Sequence, residues 1–151
     1  MKFFVSALAL ATTLTLSLTA CAHPNYIEQS GQALSPEKGS AGECLLKFTS
    51  QDLCGDFNWE KMPNESETGV FVVRFTHPQS GSLVDPSLPL KVILWMPSMG
   101  HGSSPVEVTR LSTGLYRVAR VFFSMPGTWQ IRFQLMQANN VVEEQIATLQ
   151  F

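Results

Sequence analysis

Thr128-Trp129-Gln130-Ile131-Arg132-Phe133-Gln134-Leu135-Met136-Gln137 alternates along its whole length. Trp129, Ile131, Phe133 and Leu135 fall on one side, and Gln130, Arg132, Gln134 and Met136 on the other. A period of two marks a strand with one buried face. Downstream, Asn139-Asn140 is a tight-turn pair, and Val141 to Phe151 reads as the closing strand. Glu143 and Glu144 inside that strand point to a bulge or an edge. Upstream, Leu115 to Phe123 sets Tyr116, Val118 and Phe122 on one side, and Val106 to Leu111 is a shorter, polar strand. Leu90 to Met96 is apolar on both faces, which predicts a central, buried strand. Val70 to His77 opposes Phe71, Val73 and Phe75 to Arg74 and Thr76, and Leu45 to Thr49 and Asp56 to Lys61 supply two more strands.

Nothing in the chain has the 3.6-residue period of a long amphipathic helix, and Pro or Gly turns fall at short intervals. Seven to eight short strands in residues 43–151 predict an all-β fold, an antiparallel β-sandwich of immunoglobulin type. Trp95 and Trp129 read as core anchors. Tyr116, just after the Gly114 turn, is placed either as a tyrosine corner or as an ordinary core residue.

The N-terminus has a different character. Lys2 precedes an uncharged, apolar stretch, Phe3 to Leu18, which is short for a membrane span and suits the h-region of a signal peptide. Leu18-Thr19-Ala20-Cys21 resembles the bacterial lipobox, in which the cysteine is lipidated and becomes the first mature residue. That resemblance implies a signal peptide over 1–20, a lipid anchor on Cys21, and a cell-envelope location. Ala22 rather than Asp after the cysteine points to the outer membrane of a Gram-negative cell, with the domain facing the periplasm. Residues 22–42 are rich in Pro, Gly, Ser and Gln and poor in apolar residues, the composition of a flexible tether.

Removing residues 1–20 takes Lys2 with them and moves the net charge from −2 to −3. A mildly acidic chain without a basic stripe argues against nucleic-acid partners. With Cys21 assigned to lipid, Cys44 and Cys54 remain as an even pair, read as a disulfide in an oxidising compartment. The alternative, a thiol metal or redox site, lacks the C-x-x-C spacing.

The chemistry-bearing stretch is Met96-Pro97-Ser98-Met99-Gly100-His101. Thioethers and imidazole are ligand types that soft copper prefers, and thioethers need no deprotonation to bind. If consecutive strands are antiparallel, 90–96 and 115–123 run the same way, and their outgoing loops share one end of the sandwich. Met125 of Ser124-Met125-Pro126-Gly127 then approaches Met99 and His101, and Met62-Pro63 leaves at that end too. The candidate Cu(I) ligands are therefore Met99, His101, Met125 and Met96. The bland reading makes Met96 a core residue, His101 a solvated loop residue, and the methionines gap fillers. No Ser-His-Asp or Cys-His signature, carboxylate pair, P-loop or dinucleotide-binding glycine pattern supports an enzyme.

The same motif, followed by Gly114-Leu115-Tyr116 and by Phe123-Ser124-Met125-Pro126-Gly127-Thr128-Trp129, resembles the YtkA-like and FixH-like family over residues 68–150. The resemblance implies an immunoglobulin-like fold in exported or membrane-tethered proteins, some of them linked to copper handling or respiratory oxidase assembly. The lipobox departs from FixH, which has a membrane helix, and the Cys44–Cys54 segment lies outside the family motifs. Two functions are expected: a lipoprotein that stores or delivers Cu(I), or a metal-free module whose 97–105 loop recognises another envelope protein.

Overall fold

The computed structural model describes residues 44–151. The signal segment 1–20, Cys21 and the tether 22–42 lie outside the described residues. Nine strands follow one another: β1 Leu46–Phe48, β2 Leu53–Lys61, β3 Gly69–Thr76, β4 Leu90–Met96, β5 His101–Gly102, β6 Glu107–Ser112, β7 Leu115–Val121, β8 Thr128–Gln137 and β9 Asn140–Gln150. No helix occurs among the described residues. One sheet has the order β1-β2-β3-β7-β6 and the other β5-β4-β8-β9, with every neighbouring pair antiparallel. This is the two-sheet, crossed-over order of an immunoglobulin-type sandwich.

The alternating residues close the core between the sheets. Phe71, Val73 and Phe75 of β3 face Trp129, Ile131, Phe133 and Leu135 of β8, all fully buried. Rings meet at tilted or edge-on angles, as in Phe71–Phe133 at 6.1 Å and Phe123–Trp129 at 5.2 Å, the geometry that ring quadrupoles favour. The Cys44–Cys54 disulfide is present, with Cα atoms 5.2 Å apart, and staples the chain before β1 to β2. Closing so short a loop contributes roughly 3 kcal/mol in the chain-entropy picture.

Three readings of the sequence need correction. First, β4 is not central: it sits between β8 and the two-residue β5, and only Val92, Leu94 and Met96 are buried. Two of its other apolar residues, Ile93 and Trp95, lie on the outer face, where the Arg132 guanidinium covers the Trp95 ring at 5.2 Å. Trp95 is therefore not a core anchor. Second, β7 does not alternate strictly. Arg120 has φ +60°, and the β3–β7 register slips between Gly69 and Phe71. The extra residue turns Val121 and Phe123 inward in place of Phe122. Third, Tyr116 makes no backbone tie. Its hydroxyl donates to Asp85 Oδ1 at 3.0 Å.

Asp85 lies on the crossover between β3 and β4. It also accepts from Gly114 N at 2.8 Å and from the Arg110 guanidinium, so one carboxylate fastens the crossover to the β6–β7 hairpin. The hydrogen bonds from Arg110, Gly114 and Tyr116 hold its carboxyl at about 2, below the usual 3.8. At the β1–β9 side, Glu143 accepts from the backbone and hydroxyls of Thr49 and Ser50 and closes the sandwich there. Burial pushes this carboxyl up, but those hydrogen bonds outweigh it and leave the group below its ordinary value. The Glu143–Glu144 pair lies on an edge strand, next to a register slip opposite Leu135 and Met136.

Candidate functional site

Strand directions bring the three Met-Pro loops to one end. Trp95 near the end of β4 pairs with Gln130 near the start of β8, so the 97–100 loop and the 122–127 loop are neighbours. Lys61 pairs with Val70, and Gly69 with Val121, which puts the 62–68 loop beside the end of β7.

Each loop has its own fastening. Met62 is exposed, but Pro63 is buried; a Cβ on Gly69 would meet the Pro63 ring at 2.5 Å, so only glycine fits there. Asn64 Oδ1 then accepts from the backbone of Ser66 and Glu67, both at 2.9 Å, and turns the chain. In the second loop, the Met96 carbonyl accepts from Met99 N and Gly100 N, and Gly100 takes φ +66° to let the chain return as β5. In the third, the Trp129 indole Nε1 donates to the Met125 carbonyl at 2.9 Å. Gly127 hydrogen-bonds reciprocally with Phe151. It leaves the space that the Met96 methyl group approaches, within 3.0 Å of where a Cβ would stand.

The four candidate ligands occupy different depths. Met96 is 2% exposed and belongs to the core; Met99 is 58% exposed; His101 and Met125 are half-buried, Met125 packing against the core. The structure adds a relation that the sequence did not suggest. Met96 and His101 are directly opposed partners in the β4–β5 pair. Opposed residues project to the same face of a sheet with Cβ atoms roughly 4.5–5.5 Å apart. His101 therefore shares a face of the sheet with the buried Met96. Its Nδ1 lies 3.1 Å from the Gly102 carbonyl. A carbonyl only accepts, so the neutral tautomer that makes this bond carries its proton on Nδ1 and has its lone pair on Nε2. Met62, also exposed, is a fourth thioether at this end.

Among the described residues, no group of three or more His, Cys, Asp or Glu is arranged to hold a metal ion. The other described histidine, His77, has its Nε2 3.9 Å from Asp52.

Fold and loops together define an antiparallel, immunoglobulin-type sandwich with a methionine-rich end. The YtkA-like family model matches residues 49–134, more than half of the chain, and the chain belongs to that family. The match begins before Cys54 and so takes in part of the stapled segment that the motifs alone had left out. No curated protein and no solved structure matches the chain.

Proposed function

We propose that this chain is a cell-envelope lipoprotein, anchored through Cys21, whose methionine-rich end binds Cu(I) for storage or delivery rather than turnover. Met99 and His101 are the accessible ligands, with Met125 and Met96 completing the set. The observation that carries the reading is the opposition of Met96 and His101 across β4–β5, at the end where three Met-Pro loops meet. Thioether and neutral imidazole donors select Cu(I) over zinc or magnesium. The prolines stiffen the loops, so less entropy is lost when the ligands close on an ion.

Anaerobic Cu(I) titration against a competing chelator tests it. The Met99→Ala/His101→Ala double variant should lose at least ten-fold in affinity. Met99 is exposed, so its removal leaves the fold intact. Equal affinities in wild type and double variant refute the copper site.

The exposure of Met62 and Met99 also suits the rival reading, a metal-free interaction module. In that case replacing the 97–105 loop by Gly/Ser abolishes cross-linking to an envelope partner. His101→Ala then leaves the copper response unchanged.

A further inference from the structure

The two long sides of the sandwich are finished differently. On the β1–β9 side, Glu143 bonds the edge shut. On the other side, β5 pairs only with Trp95 and Met96, so Leu90 to Ile93 of β4, paired with β8 along one edge, have no strand partner along the other among the described residues. Between this edge and β6 runs a groove of about 460 Å³, lined by Val92, Leu94, Ser103, Pro105, Val106 and Val108.

The hydrogen-bonding parity of the edge follows from two contacts. Pro89 O accepts from Met136 N, so odd-numbered residues of β4 bond toward β8. Leu94 O accepts from Ser103 N, so even-numbered residues bond outward. Leu90 and Val92 therefore turn both their N–H and C=O groups to the free edge, an unfilled template for one more strand. Their side chains point into the sandwich, while Lys91 between them stands exposed on the outer face. Lys91 makes no ion pair among the described residues. The acid on its cross-strand row, Glu144, is two strands away, roughly 9–10 Å at normal strand spacing, and is hydrogen-bonded to Gln134.

We propose that the free edge of β4 takes an extended segment of another protein by strand addition, the segment carrying an acidic side chain opposite Lys91 between two apolar ones. The backbone of Leu90 and Val92 holds the segment, and its two apolar side chains enter the groove beside Val106 and Val108. The acid faces Lys91 across the new pair. A second copy of this chain fits poorly. Antiparallel pairing of Leu90 with Val92 sets the two Lys91 ammoniums directly opposite one another. Pairing centred on Val92 needs the Leu94 carbonyl, which Ser103 already occupies.

The test titrates the ¹⁵N-labelled full chain at low salt with two peptides, STVEVTS and STVKVTS. The acidic peptide should shift the Leu90 and Val92 amides, protect them from exchange, and bind three- to ten-fold more tightly than the basic one, the range set by gaining one exposed ion pair and removing one repulsion. Lys91→Glu should reverse the order, and Lys91→Gln should abolish the preference. Equal binding of both peptides to wild type overturns the proposal, as do shifts that avoid β4. A Val92 amide protected without peptide, and freed by deleting residues 22–43, also overturns it by making this chain's own segment the occupant.

Discussion

Replacing Trp129 by Phe should cost about 2–3 kcal/mol, although both residues are aromatic and the site is fully buried. Trp129 does two jobs. Its ring fills the core against Phe123 at 5.2 Å, and its indole N–H bonds the Met125 carbonyl of the third Met-Pro loop at 2.9 Å. Phe leaves a void of about 40 Å³, and at about 24 cal/mol per Å³ that is close to 1 kcal/mol. The half-buried carbonyl then loses its donor, for about 1–2 kcal/mol more. In a domain of this size, about 4 °C of melting temperature goes with each kcal/mol, so the midpoint should fall by about 8–12 °C. Urea unfolding followed by far-UV circular dichroism measures the same loss as a shift in midpoint at constant slope. Trp95→Phe is the matched control. That ring lies on the outer face, so the change forfeits chiefly its stacking with Arg132, about 0.5–1 kcal/mol. A Trp129→Phe loss under about 1 kcal/mol, or one no larger than the Trp95→Phe loss, would refute the assignment of Trp129 as the anchor of that loop.

Other expectations concern charge and location. Because the Asp85 carboxyl is depressed in the folded state, its contribution is complete above its ordinary value and is lost as pH falls through about 2. The stability difference between wild type and Asp85→Asn, read from urea midpoints, should therefore shrink between pH 4 and pH 2; a difference that stays constant there contradicts the network. Cys21→Ala should move the protein from the membrane to the soluble fraction on cell fractionation, and a wild type already in the soluble fraction contradicts the anchor.

Periodicity made most of the fold legible. β4 and β8 run over the residues that alternation or apolarity marked, and the other long strands differ by a few residues at their ends. What escaped depends on single backbone events that carry no period. β5 has only two residues and exists because Pro97 to Gly100 fold the chain back onto Met96. The glycine at φ +66° after a Pro-led turn is the signal that could have found it. The slip at Arg120 exchanges Phe122 for Phe123 in the core, and nothing in the composition of β7 announces it. Asp85 is equally silent, since its three partners come from a hairpin about 25–30 positions away.

The meeting of the three Met-Pro loops was readable because antiparallel strands fix loop direction by simple counting. The facing of Met96 by His101 was not, because it hangs on β5. Trp95 was misread because an apolar residue on an outer face looks like a core residue until its cover, Arg132, is seen.

The bonding of Phe151 to Gly127 has a practical consequence. Residue 151 lies beside the third Met-Pro loop, with its ring 4.8 Å from Phe123. Anything fused after it emerges at the mouth of the methionine cluster. A polyhistidine handle there would set a rival group of imidazoles beside the candidate ligands, and would inflate the apparent stoichiometry of a copper titration. Metal measurements on this protein call for an untagged carboxyl end, or for a handle cut away before copper is added.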